Sequence, residues 1–157
     1  MLHRPVVSLQ LLTGPKAFAG GEIEFSLQSS ARGAVSADRR RLVRALHNIA
    51  HNARRALGEQ GRFWIEGRDL PAAVELKLCD DGPGIPAALW PDLFTPLVNH
   101  PAVAGSGLGL AIVRQIVEAH GGTVAAERLA PRGTAMVIRL PAVCPNVDTP
   151  FEPSPYR

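Results

Sequence analysis

The sequence predicts an α+β fold in which a mostly antiparallel sheet packs against helices as a two-layer sandwich. Two segments repeat apolar residues at helical spacing, and the other apolar segments are short and bounded by Gly, Pro or polar residues. Successive short segments with brief connections favour antiparallel pairs. The β-α-β alternation of a Rossmann domain is missing, so one sheet covered by helices is the arrangement that buries every apolar face.

Length and composition indicate one globular domain. The chain has 157 residues, of which 46% are hydrophobic and 20% are charged. No apolar run approaches the roughly 20 residues of a membrane helix, and no signal-peptide pattern follows the start. The net charge of +3 is compatible with an anionic ligand and does not specify nucleic acid. Cys79 and Cys144 have no metal-binding or redox spacing, and we expect two ordinary thiols.

The predicted strands are short segments with alternating or continuous apolar residues. In chain order they cover residues 6–12, 22–27, 34–35, 62–67, 73–79, 123–129 and 134–140. From these boundaries we expect a lead-in over residues 1–21, one domain over 22–141 and a proline-rich, loosely ordered tail over 142–157.

Two helices are predicted, the first over residues 39–57. Asp38 is a suitable N-cap for this helix, and Gly58 is suited to close it. The second covers residues 108–120 and ends before two glycines. Between the strand that ends at residue 79 and the second helix, residues 87–104 read as irregular, with at most a short helix near 87–94.

The first helix carries three polar side chains on one stripe. Asn48 and Asn52 are four residues apart, and Arg55 follows at helical spacing. An amide oxygen is a hard, neutral ligand for a Mg²⁺ ion that takes most of its charge from phosphates. Asparagines on exposed helix faces are common, so the stripe alone is weak support for a metal site.

The segment after the fifth predicted strand has the sequence DDGPGIP. Asp80 ends an apolar strand, where its carboxylate can accept a hydrogen bond from an exocyclic amine such as that of adenine. Gly82 and Gly84 let the backbone approach a flat base closely. A plain capped turn is the simpler explanation of this segment taken alone.

Closely spaced glycines lead directly into the second helix. Residues 105–110 have the sequence GSGLGL, which exposes backbone N–H groups at a helix N-terminus, where phosphate oxygens bind well. The segment matches neither of the two usual nucleotide-binding glycine motifs. Gly133 and Thr134, which enter the last strand, read by themselves as an ordinary hairpin.

The order of these segments resembles the family that unites histidine kinases with the gyrase, Hsp90 and MutL ATPases. Residues 47–55 look like the asparagine box, 80–84 like the first glycine box, Phe94 like the phenylalanine box and 105–110 like the second glycine box. The resemblance runs over about residues 22–141. It implies a Bergerat fold, a mixed sheet packed against helices.

The resemblance also implies a role for each matching residue in binding ATP and Mg²⁺. Asn52 would bind Mg²⁺, Asn48 would help to hold the metal or orient the γ-phosphate, and Arg55 would contact phosphate. Asp80 would bind the adenine amine, and Thr134 would support the adenine end. The remaining implied ATP-binding residues form the base pocket and the phosphate cradle: Gly82, Gly84, Ile85, Gly105, Ser106, Gly107, Leu108 and Gly109.

The implied activity is that of a sensor histidine kinase, which transfers the γ-phosphate of ATP to a histidine, with Asn48 and Arg55 at the reacting phosphate. In hydrolytic relatives a glutamate occupies the position of Asn48, and an amide cannot take up a proton there, so a hydrolase is disfavoured. The alternatives are a serine/threonine kinase of the anti-sigma type and a non-catalytic ATP-binding module.

The expected partners are a dimerisation domain that carries the acceptor histidine and a downstream response regulator, with no nucleic acid. We expect the domain to be cytoplasmic, either alone or as part of a larger membrane-bound sensor, with no direct membrane contact. Two features of the sequence depart from the family pattern. The chain has no recognisable acceptor histidine, and residues 95–104 of the expected lid contain no Lys or Arg. His47 and His51 are expected to face solvent, away from the asparagine stripe.

Overall fold

A computed structural model describes residues 6–8, 22–96 and 107–143. These residues form one mixed sheet with helices against it, which confirms the predicted α+β sandwich. The elements, in chain order, are β1 (Val6–Ser8), β2 (Glu22–Ser29), β3 (Ala34–Ser36), α1 (Arg39–Leu57), β4 (Gln60–Leu70), β5 (Ala73–Asp80), a 3-10 helix (Ala87–Asp92), α2 (Gly109–Ala119), β6 (Thr123–Arg128) and β7 (Thr134–Val143).

The sheet has the strand order β1-β3-β7-β5-β4-β2, and β6 also pairs with β7. The strands β4, β5 and β7 form an antiparallel centre in which Asp80 lies opposite Phe63 on one side and Thr134 on the other. The pair of β2 and β4 is parallel, because α1 crosses between them and returns the chain in the same direction. The last residue of β5, Asp80, and the first residue of β7, Thr134, therefore lie side by side at the same end of the sheet.

Local capping fixes both ends of α1. The Asp38 carboxylate accepts the backbone N–H groups of Arg40 at 2.9 Å and of Arg41 at 3.1 Å, as expected for an N-cap. Gly58 ends the helix with a φ of 71°, a left-handed conformation that costs glycine little. The predicted bounds of this helix are confirmed.

One face of the sheet carries the core against both helices. Phe63 of β4, Leu78 of β5 and Ile138 of β7 are almost completely buried, and Val113 and Val117 of α2 pack in the same cluster. Alternation along each strand places these residues on one face. In the part of the chain described by the structure, no helix is long and apolar enough to cross a membrane.

Some predicted bounds differ from the structure. Strand β7 continues to Val143, past the predicted end at residue 140, because Ala142 and Val143 pair with β3. Strand β4 covers Gln60–Leu70 and is longer at both ends than the predicted strand over 62–67, because it pairs with β5 as far as Leu70. Residues 9–12 of the first predicted strand lie outside the described residues. The short helix expected near residues 87–94 is confirmed as a 3-10 helix over Ala87–Asp92.

Candidate functional site

The described residues enclose a cleft of about 1000 Å³ between α1, the ends of β5 and β7, the 3-10 segment and the start of α2. Most of the sequence-predicted site residues line it. They are Asn48, Asn52, Arg55, Asp80, Gly84, Ile85, Gly107, Gly109 and Thr134. Gly82 and Leu108 are not among the lining residues, and Gly105 and Ser106 lie outside the described residues. A cleft of this size is large enough for a ligand such as a nucleotide.

The asparagine stripe of α1 contacts the beginning of α2. Asn48 Nδ2 donates a hydrogen bond to the Gly109 carbonyl oxygen at 3.2 Å. A Cβ atom built on Gly109 would lie 3.8 Å from Asn52 Nδ2, so the start of α2 is also close to the second amide. Arg55 is exposed at the rim of the cleft, one turn further along α1.

His51 faces solvent and also borders the cleft. Both His47 and His51 are exposed, as predicted, but His51 also lines the cleft. It directly precedes Asn52, about 100° around the helix. His47 is not a lining residue. The prediction that both histidines face solvent is therefore confirmed, and His51 in addition borders the cleft.

Asp80 supplies the buried acid of the cleft. Asp80 is only 7% exposed, and its Oδ1 atom accepts a hydrogen bond from the backbone N–H of Gly82 at 3.0 Å. Burial raises the pKa of the Asp80 carboxyl above its ordinary value, although the backbone N–H groups of Gly82 and Thr134 act in the opposite direction. A desolvated carboxyl that opens into a cleft is suited to a ligand that donates a hydrogen bond.

The β6–β7 hairpin packs against the backbone of Asp80. Gly133 has a φ of 116°, and a Cβ atom at this position would overlap the Asp80 carbonyl oxygen. On the other side, a Cβ atom on Gly84 would lie 3.5 Å from the Gly133 carbonyl oxygen. Glycine at residue 133 therefore lets the hairpin lie directly against the end of β5, so this residue does more than form an ordinary turn.

Part of the cleft wall was missed by the sequence analysis. Leu89 and Asp92 of the 3-10 helix and Leu93 and Thr95 just after it line the cleft, and none of them was predicted as a site residue. Leu89 is buried, and Leu93 packs against the core. The four-residue spacing of these two leucines was the signal that could have placed one face of the segment inward.

The two-layer fold and its cleft define a ligand-binding domain. The buried carboxyl of Asp80 and the asparagine side chains of α1 line the same cleft. Residues 37–143 match the family described as "Histidine kinase-, DNA gyrase B-, and HSP90-like ATPase", which is a family of ATP-binding domains. The chain belongs to this family. The asparagine box, both glycine boxes and the final hairpin all fall within the matched residues.

Among proteins of known function, the chain is similar to the sensor histidine kinase ZraS of Escherichia coli O157:H7. The two are 37% identical over 107 residues, which cover 68% of this chain and 23% of ZraS. The chain therefore spans about a quarter of the length of that relative.

Two solved structures show the same fold. The mycobacterial sensor histidine kinase MprB aligns with a TM-score of 0.69 at 34% identity, covering 77% of this chain and 84% of that chain. The histidine kinase ThkA, solved in complex with the response regulator TrrA, aligns with a TM-score of 0.65 at 31% identity. This alignment covers 77% of this chain and 34% of that chain.

Proposed function

We propose that this domain binds ATP with Mg²⁺ and transfers the γ-phosphate to a histidine on a separate dimerisation domain of a sensor kinase. The observation that carries the proposal is the convergence of Asn48, Asn52, Asp80 and Thr134 on one cleft. These residues lie on three different elements, and each type suits a different part of a magnesium nucleotide. Membership of the ATPase family and the likeness to sensor kinases support the same conclusion.

The adenine base is assigned to the end of β5. The Asp80 carboxylate would accept a hydrogen bond from the exocyclic amine, and Thr134 would support this end of the pocket from the neighbouring strand. Ile85 supplies an apolar wall for the ring. Gly84 lines the pocket, and Gly82 acts indirectly, through its hydrogen bond to Asp80.

Mg²⁺ is assigned to Asn52, with Asn48 beside it. In the described residues no group of three or more His, Cys, Asp and Glu side chains could hold a metal ion alone. An amide donor set nevertheless fits Mg²⁺, because this ion keeps several waters and takes further oxygen ligands from phosphates. When bound, the ion would neutralise phosphate charge. Arg55 at the rim would contact phosphate directly.

The beginning of α2 is assigned to the phosphates. Gly107, Leu108 and Gly109 lead into the helix N-terminus, where free backbone N–H groups and the helix dipole favour anions. Gly105 and Ser106 would extend this cradle. The hydrogen bond from Asn48 to the Gly109 carbonyl fixes the cradle relative to the metal-binding helix.

The proposed chemistry is positioning and charge neutralisation. Asn48 has no proton-accepting role at neutral pH, so the site lacks the side chain that activates water in hydrolytic relatives. A partner's imidazole needs less help, because it is itself the nucleophile; it bonds to the γ-phosphorus as the bond to the β-γ bridging oxygen of ATP breaks. A response regulator would then receive the phosphoryl group, in keeping with the complex of ThkA and TrrA.

A phosphotransfer assay tests the proposal. The domain is mixed with its cognate dimerisation domain, Mg²⁺ and ATP labelled at the γ-phosphate. We expect acid-labile, alkali-stable label on the dimerisation domain, as for phosphohistidine. Acid-stable label would instead indicate a serine/threonine kinase. Tight binding of ATP without any transfer would indicate a non-catalytic binding module.

A further inference from the structure

Trp90 belongs to the 3-10 helix and directly follows Leu89, which lines the cleft, although Trp90 itself is not a lining residue. Its indole Nε1–H donates a hydrogen bond to the Ile85 carbonyl oxygen at 3.1 Å. The guanidinium carbon of Arg128 lies 5.1 Å from the centre of the indole ring, within the range of a cation–π interaction. The ring therefore connects the 3-10 segment to the last residue of β6.

The contact with Arg128 leads directly to the adenine end of the cleft. Arg128 is the register partner of Thr134, and Thr134 is in turn the partner of Asp80 across β7 and β5. Both Thr134 and Asp80 line the cleft, as does Ile85. Trp90 thus contacts two segments that carry lining residues of the cleft, the hairpin through Arg128 and the loop after β5 through Ile85.

The 3-10 segment has little internal structure that could hold this wall in place. It contains Pro91, it follows Pro86, and it has no side-chain cap at its N-terminus. Proline removes a backbone donor, and 3-10 geometry gives weaker hydrogen bonds than an α-helix. Side-chain contacts must therefore fix its position, and the two contacts of Trp90 connect it to the loop and to the hairpin.

We propose that Trp90 is a positioning residue for the nucleotide. It holds Ile85 and Leu89 at the distance from Thr134 that accommodates the base. The inference rests on the proposed function only in taking ATP as the occupant of the cleft. It adds a residue outside the four recognised sequence segments, and it assigns Arg128 as the partner that orients the ring.

The chain offers a matched control in its other tryptophan. Trp64 also donates its indole N–H, to Glu66 Oε1 at 2.8 Å, and Arg62 lies 6.0 Å from its ring centre. Trp64 pairs with Cys79 across β4 and β5, on the face of the sheet that points away from the helices. The substitutions are Trp90→Phe and Arg128→Met, with Trp64→Phe as the control.

Calorimetry with AMPPNP, ADP and adenosine measures the effect. Trp90→Phe removes the hydrogen bond to Ile85 and keeps an aromatic ring, and we expect about fivefold weaker binding. Arg128→Met should weaken binding about two- to fivefold. The proposed contact is with the base, which AMPPNP, ADP and adenosine share. Each substitution should therefore weaken the binding of all three ligands by the same factor. Trp64→Phe should bind as the wild type does.

Fluorescence provides a readout that does not depend on the folding of the Trp90 variant. In Trp64→Phe the only tryptophan is Trp90, and its emission should change when AMPPNP binds. In Trp90→Phe the emission of Trp64 should stay constant. An unchanged Trp90 emission at saturating AMPPNP would overturn the inference, as would wild-type affinity in Trp90→Phe, even if that variant melts at a lower temperature. Failure of the wild-type chain to bind AMPPNP would instead contradict the proposed function.

Discussion

Asp80 and Asp81 are neighbours in the sequence, but their surroundings shift the pKa values of their carboxyl groups in opposite directions. Asp80 points into the cleft, and burial raises the pKa of its carboxyl. Asp81 accepts the backbone N–H of Arg62 at 2.7 Å and the Nε–H of the same residue at 3.2 Å. These contacts, the backbone one first, lower the pKa of Asp81. One carboxyl is therefore available to a ligand, while the other holds β4 and β5 together.

Asp80→Asn should weaken ATP binding without lowering the stability of the fold. The raised pKa of Asp80 means that its contribution to stability is present below the ordinary value and is lost as pH rises through the folded-state pKa. Near neutral pH the charge is a cost, so the variant should melt no lower than the wild type. The amide oxygen can keep the Gly82 bond, which leaves an N–H group facing the adenine amine. We expect about 10- to 100-fold weaker ATP binding by calorimetry.

Asp81→Asn is the control for this experiment. The lowered pKa of Asp81 means that its contribution is present at neutral pH and is lost as pH falls through the folded-state pKa. The variant should melt below the wild type at pH 7 and should bind ATP normally. If Asp80→Asn retains wild-type affinity, or if Asp81→Asn loses affinity at a temperature where it is folded, the assignment of the adenine end is wrong.

Asn52→Ala should remove the dependence of nucleotide binding on magnesium. AMPPNP affinity in Mg²⁺ is expected to fall at least about 10-fold, toward the value in EDTA. His47→Ala is the matched control, because His47 is exposed on the same helix and is not a lining residue of the cleft. A variant at Asn52 that keeps the full difference between Mg²⁺ and EDTA would contradict the metal assignment.

The sequence was sufficient for the parts of the fold that local rules control. The N-cap at Asp38, the glycine after α1 and the apolar segments of β4 and β5 are short-range signals, and the structure forms the predicted element at each. The spacing of Asn48 and Asn52 likewise predicts their common stripe. What brings this stripe to Asp80 is the pairing of distant strands, and here the order of the motifs, through the family resemblance, predicted the convergence.

Other features depend on contacts that no local pattern marks. The 3-10 segment contacts the β6–β7 hairpin through Trp90 and Arg128, which are separated in the sequence and carry no motif. Helix periodicity predicts that His51 is exposed, but its place beside the cleft depends on the elements packed around α1. Gly133 reads as a hairpin glycine until the Asp80 backbone is placed against it.

Gly133→Ala should damage both the fold and the site. Its φ of 116° is strained for any other residue, and the new Cβ atom would overlap the Asp80 carbonyl oxygen. We expect a loss of more than about 2 kcal/mol of unfolding free energy, together with weaker ATP binding. Gly58→Ala is the control, because its φ is also positive, at 71°, but nothing lies within 4 Å of the new atom. It should cost about 1 kcal/mol and leave binding intact; equal effects of the two variants would exclude the overlap as the cause.

Glu75 forms a buried ionic contact on the sheet face opposite the helices. It is 1% exposed, and its two carboxylate oxygens bond Arg68 Nε and Arg139 Nε, each at 2.7 Å. Burial alone would raise the pKa of Glu75, but the two arginines outweigh this effect and lower it. Its contribution to stability is therefore present above the ordinary value of 4.5 and is lost as pH falls through the folded-state pKa.

Glu75→Gln should cost about 1–2 kcal/mol at pH 7, because both arginines are half exposed and solvent screens them. Urea denaturation at pH 7 and pH 4 measures the effect, which should shrink at the lower pH. Glu127→Gln breaks the more exposed pair with Lys77 on the same face and should cost less than about 1 kcal/mol. A Glu75 variant no less stable than the wild type, or one with the same deficit at both pH values, would contradict this account.

His120 connects the end of α2 to the beginning of α1. Its Nδ1 atom lies 2.7 Å from the Ile116 carbonyl oxygen, which can only accept, so Nδ1 carries the proton. Nε2 is then the lone pair that accepts the Asp38 backbone N–H at 3.0 Å. Both ring nitrogens are used, and the residue is 7% exposed. The histidine therefore fixes the start of α1, the same helix whose Asn48 side chain donates a hydrogen bond to Gly109.

His120→Phe keeps most of the ring volume but leaves a donor and an acceptor without their partner. We expect a loss of about 2–3 kcal/mol of unfolding free energy, measured by urea denaturation. His47→Phe replaces an exposed histidine of α1 and should change stability by less than about 0.5 kcal/mol. Because the Asn48–Gly109 contact depends on the packing of the same two helices, AMPPNP affinity should also fall in His120→Phe at temperatures where it is folded. A variant as stable as His47→Phe would mean that solvent replaces both hydrogen bonds, and that the helix–helix contact is set by the apolar residues alone.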